Sequence, residues 1–269
     1  PEERPVVTGS AIARCFRERA SEGRAALVPY VTAGFPDPRS AVDVLPALAD
    51  AGADVIELGI PFSDPLADGP TIQRSSFLSL EQGTTVPKVL EILRGFRARH
   101  QTPVVLFSYL NPVLSYGLDR FCEDARDAGA EGLLLTDLPV GADPEVEEQI
   151  EASGLDLIRL LAPTSPAERV EAVAEHARGF LYYISRTGVT GARTELPSGL
   201  EAEVTALKDR VGLPVAVGFG ISTPEQARLV ASVADGVVVG SALVRTLEEK
   251  GVEGARRFLA SLRRGMDAR

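Results

Sequence analysis

From Glu57 to Pro70 the chain reads ELGIPFSDPLADGP, and the surrounding organisation follows from how that stretch is read. The residues leading into it, Ala53-Asp-Val-Ile-Glu57, read as a short β-strand with Val and Ile side by side. The residues after it, Thr71-Ile-Gln-Arg-Ser-Ser-Phe-Leu, carry a helical pattern. A carboxylate, Glu57, is therefore expected at the C-terminal end of a strand. Asp64 and Asp68 follow it on a loop stiffened by Pro61 and Pro65. So much lost freedom beside so many acids suits a functional loop better than a connector. The alternative is a solvated turn with Glu57 in a salt bridge.

Working outward, strand-like and helix-like stretches alternate along the whole chain. The strands are expected at Leu27–Val31, Ala53–Glu57, Val104–Ser108, Gly132–Leu135, Leu155–Leu161, Phe180–Ile184, Pro214–Val217 and Gly236–Val239. They are short apolar runs without alternation, the pattern of a parallel sheet covered on both faces. Between them lie amphipathic stretches with recognisable stops and starts. Ser40 to Ala51 is released at Gly52, Thr85 and Pro87 open a helix, and Thr223-Pro224 open another. An additional helix, Ile12 to Glu22, precedes the first strand, and Tyr109-Leu-Asn-Pro is read as a loop. Eight units of this kind make a closed barrel more economical than an open sheet. The expected fold is a single (β/α)8 TIM barrel with an extra N-terminal helix, one domain over residues 1–269.

Composition narrows the function. Hydrophobic residues make up 45% and charged residues 25% of 269 positions, an ordinary globular balance. A net charge of −10 without a Lys/Arg stripe argues against nucleic acid or acidic membranes as partners. No apolar run is long enough to span a bilayer, and PEERPVVTGS lacks the apolar core of a secretory signal. The expectation is a cytoplasmic protein. Two cysteines, Cys15 and Cys122, make neither a disulfide scaffold nor a zinc module, and are expected as buried small hydrophobes.

In a (β/α) barrel the chemistry sits on the loops after the strands. His100 and His176 precede strands three and six, on the opposite face, and the three lysines, Lys88, Lys208 and Lys250, lie inside helices. A histidine triad, a histidine metal site and a Schiff-base lysine are thereby disfavoured. Acids remain at the active face: Glu57, Asp64, Asp68, Asp137 and, more distantly, Asp37 and Asp119. Acid/base catalysis by carboxylates without a metal is the expectation. Gly218-Phe-Gly-Ile-Ser after strand seven and Gly240-Ser-Ala after strand eight let backbone N–H groups and a helix N-terminus approach an anion, as a phosphate site would.

The run ELGIPFSDPLADGPTIQ, the later SRTGVTGA, the GFGIS turn and the GSA helix start resemble the tryptophan synthase alpha subunit family. The similarity runs in order through essentially the whole chain. It implies a lyase of L-tryptophan biosynthesis that cleaves indole-3-glycerol phosphate to indole and glyceraldehyde 3-phosphate, a retro-aldol reaction. It implies no cofactor in this chain, and a partner, the beta subunit, with its own pyridoxal phosphate in an alpha2-beta2 complex. By the resemblance, Glu57 is the general acid/base and Asp68 the carboxylate that engages the indole N–H. Phosphate contacts would come from Gly191, Gly220, Gly240 and Ser241 with Phe219 beside them. Tyr182 would lie near the glycerol chain, and Tyr30, Ile72, Phe107 and Leu134 would line the indole pocket.

The chemistry asks for those residue types. Breaking the bond from indole C3 needs a proton at C3, stabilisation of positive charge on the ring and removal of a hydroxyl proton. An ionised Asp68 would supply the second, and a Glu57 with a raised pKa the first and third. The loop from Arg186 to Pro197, with hinges Gly188 and Gly191, is expected to close over substrate, Thr190 then hydrogen-bonding Asp68. The loops 61–65 and 109–112 are expected at the rim of the beta-subunit interface. Two other readings stand beside this one: a phosphosugar isomerase on the same scaffold, and a non-catalytic subunit that only activates a partner.

Overall fold

The computed structural model describes residues 9–184, 199–218 and 220–268. Eight parallel strands close into a barrel in chain order: β1 (Ala26–Thr32), β2 (Ile56–Gly59), β3 (Val104–Ser108), β4 (Gly132–Leu135), β5 (Asp156–Leu161), β6 (Leu181–Ile184), β7 (Val215–Gly218) and β8 (Gly236–Val239). The helices are α1 (Ala11–Ser21), α2 (Ala41–Asp50), α3 (Pro70–Glu81), α4 (Val86–Arg97), α5 (Leu110–Tyr116), α6 (Leu118–Ala128), α7 (Pro144–Ala152), α8 (Ala167–His176), α9 (Leu200–Val211), α10 (Pro224–Ala231) and α11 (Ser241–Asp267). The last is broken at Gly251, whose φ of 65° lies outside the helical region.

Register decides which side chains fill the barrel. Tyr30 pairs with Glu57 and Glu57 with Val105; Gly59 pairs with Phe107, Phe107 with Leu134 and Leu134 with Ile158. Alternation along each strand therefore sends this set inward and its neighbours out to the helices. Val28, Val105, Leu134, Ile158, Phe180 and Val238 belong to an inner apolar cluster distinct from the larger one, and Phe107 packs against both.

The additional N-terminal helix closes the bottom of the barrel. Ser10 caps α1 by accepting from the Ala13 N–H at 3.1 Å. Ile12 and Phe16 are buried among the inner cluster, with Phe16 stacked on Phe180 at 5.2 Å between ring centroids. Gly236 makes room for it: a Cβ there would lie 2.9 Å from the Phe16 ring. Among the described residues the lower end is thereby plugged, and a cavity opens at the upper mouth.

Two local expectations are corrected. The strand expected at Ala53–Glu57 runs instead from Ile56 to Gly59, so Glu57 is its second residue and not its last. Asp54 explains the shift, because its carboxylate accepts from the Leu27 N–H at 2.8 Å and pairs with Arg263 at 3.1 Å. The ladder continues at the other end, where Ile60 N–H donates to Phe107 C=O at 2.8 Å. The Tyr109-Leu-Asn-Pro stretch opens α5, and Asp137 accepts from its Leu110 N–H at 2.7 Å. Pro112 lies in that first turn, where its missing N–H costs nothing.

Candidate active site

The mouth of the barrel holds a cavity of about 240 Å³ bordered by residues of β1, β2, β3, β6, β7 and β8 and by the segments that follow them. Glu57 lines it from β2 and is only 1% exposed. Its Oε1 has no hydrogen-bond partner among the described residues, and burial alone pushes the carboxyl up to about 8. It therefore rests as a neutral acid at pH 7.

Asp68 enters the same cavity from the proline-stiffened loop after β2. Burial lifts its carboxyl to about 6, while a hydrogen bond from the Tyr109 hydroxyl pulls the other way. It is therefore mostly ionised at pH 7. The Tyr109 oxygen also accepts from the Ala67 N–H at 2.9 Å, so the end of β3 grips the loop beside its functional carboxylate. Burial tunes the two acids about two units apart, the arrangement that lets one donate a proton while the other holds charge.

Around them the cavity divides by character. Tyr30, Phe107 and Ile72 form an apolar side, Tyr30 meeting Phe107 edge-on with 5.0 Å between centroids. Tyr182 reaches in from β6, its hydroxyl passing 2.5 Å from where a Cβ on Gly218 would stand. Gly220, Gly240 and Ser241 make up another part of the border. Gly240 precedes the first turn of α11, and Gly220 has a φ of 69°, accessible at low cost only without a side chain. Backbone N–H groups at a helix start and little steric bulk suit an anion such as a phosphate.

Of the residues singled out from sequence, Glu57, Asp68, Tyr30, Ile72, Phe107, Tyr182, Gly220, Gly240 and Ser241 border this one cavity. Leu134 does not. It is fully buried in the inner cluster below, because it points inward at the depth of the barrel core and not at the mouth. Thr190, Gly191 and Phe219, with the rest of the loop from Arg186 to Pro197, lie outside the described residues.

Sequence reasoning missed Ile184 and Val238, which also line the cavity, and Tyr109, which had been placed in a connector. For Val238 the signal was inward alternation on β8; Gly218 and Ile221, of the glycine turn read as an anion site, line the cavity as well. Two of the remaining acids of the upper face serve the backbone. Asp37 accepts from the N–H groups of Arg39 and Ser40, and Asp137 from that of Leu110. Asp64 is exposed and bonded to the Ser63 hydroxyl, and Asp119 stands in the first turn of α6. Among the described residues no three His, Cys, Asp or Glu side chains gather as a metal site, and no helix is long and apolar enough to cross a membrane.

Comparison with known proteins agrees with this geometry. A family model described as tryptophan synthase alpha chain matches residues 16–266. A tryptophan synthase alpha chain from Geobacter sulfurreducens is 50% identical over 259 residues, 94% of this chain and 98% of that one. One from Burkholderia thailandensis is 49% identical over 263 residues, 96% and 97% of the two chains. Among solved structures, tryptophan synthase subunit alpha from Legionella pneumophila superposes with a TM-score of 0.89 at 38% identity, covering 96% of this chain and 99% of its own. A chain of the Mycobacterium tuberculosis tryptophan synthase gives 0.90 at 38% identity, covering 97% and 100%. With the match spanning barrel, cavity and both carboxylates, this chain belongs to the tryptophan synthase alpha chain family, the lyases that cleave indole-3-glycerol phosphate.

Proposed function

We propose that Glu57 and Asp68 carry the cleavage of indole-3-glycerol phosphate in this chain, Glu57 as proton donor and acceptor and Asp68 as the fixed negative charge. The observation that carries the reading is a buried carboxyl whose Oε1 has no partner among the described residues, sharing one cavity with a second, more acidic carboxyl. The neutral Glu57 delivers a proton to indole C3, and the ionised Asp68 accepts a hydrogen bond from the ring N–H as positive charge builds there. The C3–glycerol bond then breaks as the carbinol hydroxyl becomes the aldehyde of glyceraldehyde 3-phosphate. Its proton goes to the Glu57 carboxylate, which restores the resting acid.

Substrate orientation follows from the apolar and the glycine-lined parts of the cavity border. The ring lies against Tyr30, Ile72 and Phe107, the glycerol chain beside Tyr182, and the phosphate on Gly220, Gly240 and Ser241. Thr190, Gly191 and Phe219 are assigned to the same site on the family's pattern alone. Glu57→Gln keeps the shape and cannot exchange the proton. It should abolish indole formation by the isolated chain, measured as indole released, with substrate affinity nearly intact. Near-normal turnover would refute the assignment.

Family membership implies a beta-subunit partner. We assign to it the alpha2-beta2 arrangement, with pyridoxal phosphate held by the beta chain, and the cytoplasmic location in which free amino acids are made. The interface is placed at the depression lined by Pro61, Phe62, Asn111 and Pro112 beside the mouth. Leu66, 92% exposed, and Leu114, 47% exposed, support this as a surface built for a partner.

A further inference from the structure

Tyr30 carries a hydroxyl on the apolar side of the cavity, where a phenylalanine would complete a wholly hydrocarbon wall. That hydroxyl stands in the space over Gly59, 2.2 Å from the position of a Cβ on that residue. It lies 3.4 Å from Thr32 Oγ1, Thr32 Oγ1 lies 2.6 Å from Ser75 Oγ, and Ser75 Oγ donates to the Ile72 carbonyl at 2.9 Å. A carbonyl only accepts, and each hydroxyl has one proton. One set of proton positions makes all three contacts hydrogen bonds: Tyr30 to Thr32, Thr32 to Ser75, Ser75 to Ile72. Thr32 and Ser75 are buried, at 2% and 0% exposure, so water does not rearrange the chain. The Tyr30 proton is thus committed to Thr32, which does not border the cavity, and the Tyr30 oxygen keeps a lone pair. Among the described residues no other N–H or O–H reaches that oxygen.

We propose that Tyr30 is a specificity-determining residue whose hydroxyl oxygen accepts a hydrogen bond from a donor on the six-membered edge of the ring, so that this pocket takes hydroxy-substituted indoles. The inference rests on the assignment of the cavity as the indole site made above. The unsubstituted ring carries no donor on that edge and leaves the lone pair unused. A ring hydroxyl at the matching position satisfies it, whereas a methoxy group at the same position offers no proton and sets two acceptors against each other.

The test uses the purified full chain in the condensation direction, with glyceraldehyde 3-phosphate and each of the 4-, 5-, 6- and 7-hydroxyindoles and their methoxy counterparts. The readout is the ratio of kcat/KM for hydroxy over methoxy within each protein, which cancels any change in overall rate. For at least one ring position Tyr30→Phe should lower that ratio by roughly threefold to tenfold, the scale of one neutral hydrogen bond. Thr32→Val, which frees the Tyr30 proton to turn toward the ring, should lower it at the same position. Ratios unchanged within about twofold at all four positions, with Glu57→Gln inactive, would overturn the role of Tyr30 while leaving the site standing. Normal condensation by Glu57→Gln would overturn the site itself, and the inference with it.

Discussion

The separation of the two carboxyls predicts the pH profile of kcat/KM. The competent form has Glu57 protonated and Asp68 ionised. With Glu57 pushed to about 8 and Asp68 to about 6, that form is fullest near pH 7, where it makes up about four-fifths of the protein. It falls to roughly a tenth at pH 5, where Asp68 takes up a proton, and to roughly a tenth at pH 9, where Glu57 loses one. Initial rates of indole release at low substrate, from pH 4.5 to 9.5, should trace a bell with those limbs.

The substrate phosphate also titrates near pH 6, so the acid limb needs an independent assignment. Tyr109→Phe supplies it. The Tyr109 hydroxyl holds the Asp68 pKa down against burial, so removing it must raise that pKa and move the acid limb to higher pH. The alkaline limb belongs to Glu57, whose shift comes from burial alone, and should stay where it was. A phosphate limb would not respond to this substitution. An acid limb that stays put or moves down in Tyr109→Phe, or a rate still climbing above pH 9, would refute the division of roles.

The same burial predicts a stability effect. Between the ordinary glutamate range and about 8 the folded Glu57 binds a proton that the unfolded chain has released, so wild type loses stability as pH rises through that window. Glu57→Gln removes the loss, and its Tm advantage over wild type should grow from pH 5 to pH 9 by an amount worth a few kcal/mol at most; an advantage that shrinks with pH counts against a buried carboxyl. Arg159 and Glu147 form an ion pair 3% and 6% exposed that ties β5 to α7, and Glu147→Ala, which leaves the guanidinium buried without its counter-charge, should cost about 3–5 kcal/mol in denaturant unfolding. At the rim, Asn111→Ala should weaken activation by a beta subunit more than it raises KM for indole-3-glycerol phosphate, and equal losses in both would move the interface elsewhere.

What was legible in the sequence was local punctuation. Gly52, Thr85 and Thr223-Pro224 mark where helices stop and start because their effect is confined to a few bonds. In the structure Gly52 carries a φ of 98°, and Thr223 builds a full capping box with Gln226. The acidic loop was legible for a related reason, since its prolines and carboxylates lie within fourteen consecutive residues. What was not legible depends on distant partners. Asp54 turns Ala53–Val55 away from the strand because Arg263 stands opposite it, 209 residues further on. Tyr109 reads as part of a connector until Ala67 and Asp68, about forty residues earlier, come beneath its hydroxyl.

Depth in the barrel is the property that local reading handles worst, and it is the one the cavity is made of. Phe107 and Leu134 are register partners on adjacent strands with the same inward sense, yet Phe107 borders the cavity and Leu134 lies in the core. Nothing in either residue's immediate sequence distinguishes them. Two tyrosines then shape the mouth from across strand boundaries. Tyr30 of β1 fills the space over Gly59 of β2, and Tyr182 of β6 fills the space over Gly218 of β7. Each glycine ends its strand at an inward position that its neighbour's ring occupies, so a Cβ at either would collide with a phenol oxygen. The cavity is therefore set by pairs, an aromatic on one strand and an absent side chain on the next. A change at Gly59 or Gly218 should act on substrate through the tyrosine it displaces, with the glycine itself touching the reacting atoms in neither case.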